Sequence, residues 1–203
     1  MKTALLILFL TCFINKGFSQ STATITLKSG ETISGSVDYP VYANEKKLKI
    51  KGDKKRIVNR EDIKEVVWTS DTSNILFKLI KGYKNAKNKK VQDGILAEKV
   101  LELENISLYK AFAINTMQSG PGGAYKFISI DVFWYCKRSN EDIATVVSWT
   151  FNSQVNKNNV FRNNAAEYFK DYPELSRKIE SKQYRHEDLI QIVEEYNTWK
   201  ASK

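Results

Sequence analysis

The hydrophobic period of this chain changes once, near Asn156. Upstream, apolar and polar residues alternate in short runs, the pattern of half-buried strands. Downstream, apolar residues recur every three or four positions, the pattern of amphipathic helices. Strands must pair with one another, and short helices with one apolar stripe must cover something. The change of period therefore predicts an α+β protein, mainly antiparallel β, with a C-terminal three-helix cap over residues 154–203.

The helices are delimited residue by residue. Phe161, Ala165, Tyr168, Phe169 and Tyr172 form one stripe. Asp171-Tyr172-Pro173 ends it, because proline disfavours helical geometry in the residue before it. Pro173 then opens a second helix carrying Leu175 and Ile179. A third begins near His186–Asp188, with Leu189, Ile192, Val193, Tyr196 and Trp199 as its stripe.

Residues 20–70 read as a compact β unit. Thr24 to Lys28 alternates, Ser29-Gly30-Glu31 turns, and Thr32 to Val37 continues through Gly35. Leu48 and Ile50 alternate with lysines, Arg56 to Val58 returns, and Ile63 to Trp68 follows a short corner. This order of strands resembles the SH3-like or Sm-like small barrel, in which a glycine in the second strand permits the bend that closes it; Gly35 fits that role.

Residues 71–153 read as a further antiparallel β region. Asn74 to Ile80, Leu96 to Leu103 and Ile106 to Ile114 are strands, with a lysine- and asparagine-rich loop or hairpin tip over 82–94. Ser119-Gly120-Pro121-Gly122-Gly123 is a loop; it lacks the Lys-Ser/Thr of a phosphate-cradling motif. In the hairpin that follows, Ile128, Ile130, Val132, Trp134 and Cys136 are expected to face the core, with Ser129 and Asp131 outward and solvated. Val147, Trp149 and Phe151 return in step.

Residues 1–19 have the layout of a secretory signal peptide: a charged start at Met1-Lys2, an apolar stretch from Ala4 to Ile14, and a small-x-small exit at Gly17-Phe18-Ser19. The stretch is too short for a stable transmembrane anchor. The expected location is periplasmic or secreted, with no transmembrane segment in the mature chain. Thr11 before Cys12, and the apolar Phe13 and Ile14 after it, argue against a lipidation site. Cys136 is then the only cysteine of the mature chain, expected as a small buried hydrophobe in a fold without disulfides.

The formal net charge of +9 invites an anionic partner. Export removes most nucleic acid from reach, which leaves an acidic glycan, an anionic surface or an acidic envelope protein. The lysines at 46–47, 54–55 and 84–90 fall in turn-like segments and read as solvated loops. His186 is the only histidine; among Arg185, Glu187 and Asp188 it reads as a helix-start residue. Glu102 and Glu104 are placed on one strand face, where neighbouring lysines such as Lys99 and Lys110 would neutralise them. No catalytic residue, metal ligand or cofactor site is expected. A binding surface is sought first at Tyr39, Tyr42 and Trp68, aromatic residues in a loop and at a strand end.

Phe161-Arg162, Ala165-Ala166, Tyr168-Phe169, Asp171 with Pro173 and Leu175, Lys178-Ile179, Asp188-Leu189, Ile192-Val193 and Tyr196-Asn197 together resemble a group of uncharacterised secreted proteins of Bacteroidota. Ser-Leu-Tyr-Lys at 107–110 and the opening β unit are similar to that group as well. The resemblance implies location and architecture, and no activity. The resulting expectation is an exported, non-catalytic envelope protein acting as a binding or scaffolding module. The alternatives are a hydrolase using acidic residues and, if residues 1–19 are retained in the cytoplasm, an RNA-binding small barrel.

Overall fold

Both periodicities are realised. The computed structural model describes residues 21–52, 54–83, 90–150 and 157–203. The expected leader with Cys12, the lysines at 84, 87 and 89, and Phe151 lie outside them. The strands are β1 (Thr22–Leu27), β2 (Thr32–Gly35), β3 (Lys47–Ile50), β4 (Arg56–Asn59), β5 (Ile63–Thr69), β6 (Asn74–Tyr83), β7 (Val91–Glu102), β8 (Ile106–Ser119), β9 (Tyr125–Arg138) and β10 (Thr145–Thr150). Three helices follow: α1 (Lys157–Tyr168), α2 (Pro173–Glu180) and α3 (Leu189–Ala201).

Eight strands form one antiparallel sheet in the order β10-β9-β8-β7-β6-β5-β1-β2, and β3 pairs with β4 separately. The expected SH3-like unit is not a closed barrel. β5 pairs with β6 from Glu65–Lys78 to Thr69–Asn74, so its outer edge is taken up and the sheet runs on through residue 70. β3–β4 folds back across β1, β2 and β5, and Ile25, Ile33, Leu48, Ile50, Val58, Ile63 and Val66 form the core between them. Gly35 is needed where β2 meets β3: a side chain there would collide with Ile50 Cγ2 and stand 2.7 Å from Lys51 O.

The sheet curls because several seams carry an irregularity, which sharpens local twist. Register shifts occur between Ile80 and Gly82, Lys99 and Leu101, and Val146 and Ser148. The curl brings Gly82 to Ala144, where Tyr83 N donates to Ala144 O at 3.0 Å and Ala144 N to Lys81 O at 2.9 Å. Tyr109, Ala111, Tyr135, Ile80, Ile95, Ala97 and Val146 fill the hollow inside this curl.

The three helices cover the opposite face. Phe161, Phe169, Leu175, Ile179, Ile192, Val193 and Tyr196 pack on Ile106, Leu108, Cys136 and Val147. Burying a side chain of this size contributes roughly 1.5–3 kcal/mol. Pro173 opens α2 as expected, and Tyr172 stacks on Trp199 at 4.5 Å. Among the described residues no helix is long and apolar enough to cross a membrane.

Along β9 and β10 the expected pattern of inward and outward residues fails at Asp131, at Ile128 and at Val147. β8 and β9 pair continuously from Ile106–Arg138 to Ser119–Tyr125, so the glycine-rich segment is the tip of this hairpin. Asp131, expected outside, is 4% exposed and accepts a 2.7 Å hydrogen bond from Asn115 Nδ2. Ile128, expected in the core, is 63% exposed, because the helices reach only the Trp134–Cys136 end of its face. The surplus residue Val147 in β10 also breaks the expected step: Val147 lies beneath the helices, whereas Trp149 stacks on Phe133 in the hollow at 5.9 Å.

Candidate anion-binding cleft

A cleft of about 880 Å³ opens where six segments meet, with Ile63, Leu79 and Ile80 among the residues that line it. Lys28 follows β1, Lys46 leads into β3 and Lys47 begins it, Arg60 and Glu61 occupy the 3-10 turn after β4, Lys64 belongs to β5 and Lys81 to β6. Asp93 and Gly94 of β7 complete the lining. Six basic side chains thus face two carboxylates.

Backbone pairing sets these positions. Lys28 N donates to Asp62 O at 2.8 Å and Arg60 N to Lys46 O at 2.9 Å, tying the end of β1, the 3-10 turn and the start of β3 together. The Arg60 guanidinium donates through Nη1 to Ala43 O. Gly94 takes φ +71°, a backbone conformation L side chains rarely adopt, beside Arg60.

Lys81 Nζ stands 3.8 Å from Asp93 Oδ1, with both side chains mostly exposed, so this pair neutralises little. Among the described residues Lys28, Lys46, Lys47 and Lys64 have no carboxylate at ion-pair distance. Ammonium groups clustered over low-dielectric walls raise the local concentration of anions, and each offers three hydrogen-bond donors to sulfate, phosphate or carboxylate oxygens.

The aromatic residues singled out in the sequence are only partly brought together. Tyr39 packs on Trp68 at 4.8 Å and on Phe112 at 5.9 Å, with 41% of its surface exposed. Its hydroxyl donates to Glu98 Oε2 at 3.3 Å, and burial, then the Glu98 charge, push its pKa up to about 12. Trp68 Nε1 donates to Val37 O at 3.2 Å. Tyr42 sits apart, lining a small recess with Val41, Leu48, Arg60 and Leu96. Lys110 Nζ continues the row, 4.8 Å from the Phe112 ring centre and 5.5 Å from that of Trp134.

The carboxylate pair does not form as expected. β7 ends at Glu102, and Glu104 lies in the turn beyond it. The Lys99 ammonium bonded to Glu102 lowers its pKa, burial opposes this, and Lys78 at 3.4 Å adds to the lowering. A general acid needs the opposite direction.

Sequence reasoning missed two features. The cleft lysines come from segments far apart in the chain, and only the adjacent pair Lys46-Lys47 signalled anything locally. The second is Ser148 Oγ, 2.6 Å from His186 Nδ1. Ser148 is fully buried, so the pair fastens the start of α3 to β10 and offers no accessible nucleophile.

Compared with known proteins, the chain matches no family model, no curated protein and no solved structure.

Proposed function

We propose that the protein is an exported, non-catalytic binding module of the cell envelope that holds an acidic polysaccharide in the basic cleft. The observation that carries this reading is the convergence of Lys28, Lys46, Lys47, Arg60, Lys64 and Lys81 on one open cleft, faced among the described residues by two carboxylates. An open cleft suits a polymer that passes through, and ammonium groups on flexible stems suit repeated carboxylates or sulfates whose spacing varies. The Met1–Ser19 leader pattern supports the location. The strand order of β1–β5, with β3–β4 folded across it, supports an SH3-like unit opened into the larger sheet.

The test is retention on immobilised polygalacturonate, with dextran as the neutral control. Retention on polygalacturonate alone, lost on raising salt, is expected, and the Lys46→Glu/Lys47→Glu double variant should bind at least tenfold more weakly. Equal binding by this variant, or retention on dextran, overturns the cleft assignment. A rise in reducing ends during incubation overturns the non-catalytic part. Terminal sequencing by mass spectrometry of protein from the native host checks the leader; an intact Met1 overturns export.

A further inference from the structure

Among the described residues, β8 and β9 extend beyond the rest of the sheet. β7 pairs with β8 over Ser107–Lys110, and Ala43 and Asn44 extend that edge to Ile114. β10 pairs with β9 over Val132–Cys136. From Asn115 to Ile130, among the described residues, the two strands pair with each other alone and end at the Gly120-Pro121-Gly122-Gly123 turn. At about 3.3 Å per residue the free arm from Asn115 to Ser119 is about 16 Å long.

Both faces carry exposed apolar side chains, beside the polar Asn115, Thr116 and Gln118 of β8. Tyr125 and Phe127 alternate onto one face and Ile128 and Ile130 onto the other; all four are exposed, Tyr125 at 63% and Phe127 at 56%. Between Ala111 and Ile130 the only charged residue is Lys126, and no carboxylate occurs. A protein groove covers one face of a ribbon, and a second copy adding a strand covers its edges. A lipid boundary surrounds all sides at once. The positive tip on a chain of net charge +9 is complementary to anionic headgroups.

We propose that the β8–β9 tip anchors the protein at the surface of a bilayer containing anionic phospholipid. The free edges carry backbone N–H and C=O groups that hydrocarbon cannot satisfy, so the tip stops at the headgroup–acyl boundary. That depth, about 5–10 Å, is within reach of the arm. This inference is independent of the polysaccharide reading.

The test is sedimentation of the protein with vesicles of phosphatidylglycerol and phosphatidylethanolamine, against phosphatidylcholine vesicles. Preferential partition into the anionic vesicles is expected. Phe127→Ser and Ile128→Ser should each weaken it about tenfold, and Lys126→Glu about fivefold or more. Phe127→Trp and Ile128→Trp keep the tip apolar and remain informative if a serine variant misfolds. Brominated acyl chains should quench the added fluorescence at both positions, and also in a Lys46→Glu/Lys47→Glu background. Absence of partition overturns the proposal, as does quenching at only one position. So does loss of partition in the cleft background with the tip intact. A concentration-dependent dimer abolished by the serine variants would assign the arm to a second copy instead.

Discussion

Arg138, the last residue of β9, donates its Nε to the hydroxyl of Tyr196 on α3 at 2.7 Å. The same guanidinium bonds Glu141 Oε1 at 2.7 Å, Asp171 Oδ1 at 2.8 Å and the Tyr168 carbonyl at 2.6 Å. Tyr196 in turn donates to Asp171 Oδ2 at 2.7 Å, and Tyr168 to Glu141 Oε2 at 2.8 Å. One side chain thereby joins the sheet to two of the three helices.

Removing that side chain strands two carboxylates in a partly buried site. Arg138→Ala is expected to destabilise the fold by about 2–4 kcal/mol, and Tyr196→Phe by about 1.5–3 kcal/mol, the range for lost hydrogen bonds to charged groups. Urea unfolding followed by circular dichroism measures both. Equal stability of Arg138→Ala and the parent would show that apolar packing alone holds the helices.

Gly35→Ala should cost about 1–3 kcal/mol, because the new methyl meets Ile50 and the Lys51 carbonyl. Gly52→Ala serves as the control. Its nearest neighbour would be Lys54 O at 4.0 Å, so its melting temperature should stay near that of the parent.

Alkaline pH should weaken the protein. Burial, assisted by Asp171, raises the Tyr196 pKa from 10.0 to about 12, and burial with Glu98 raises that of Tyr39 equally far. The folded state holds both protons more tightly than the unfolded chain. Their contribution is therefore complete below pH 10 and declines as pH rises through about 12. Thermal melts across pH 8–12, compared between the parent and Tyr196→Phe, should show a shallower alkaline decline in the variant.

Cys136 is fully buried beneath the helices, and burial pushes its thiol pKa up. It should resist iodoacetamide in native buffer and become alkylated in denaturant. Peptide mass spectrometry reads this site separately. Native-state labelling at the denatured rate would place Cys136 outside the core.

The three helices were legible because a stripe such as Leu189, Ile192, Val193 and Tyr196 depends on local spacing, and proline marks the break at Pro173. Strand positions were legible for the same reason. Which side a strand buries was not always so. Ile128 and Asp131 both belong to an alternating run, yet the helices end before Ile128, and the curled sheet encloses the Asp131 side instead. The cleft was the least legible feature, since Lys28, Lys64 and Lys81 converge only through strand pairing. Tyr39 and Trp68 were found by residue type, and the sheet brings them together across 29 positions of the chain.

The surplus Val147 makes β10 unequally tolerant of changes in length. Deleting it would restore simple alternation, leave Trp149 opposite Phe133, and cost only one aliphatic contact under the helices. Inserting one further residue between Ser148 and Trp149 would turn the indole toward His186 and empty its place in the hollow. Shortening this strand by one residue is therefore the milder lesion, and lengthening it by one is the damaging one.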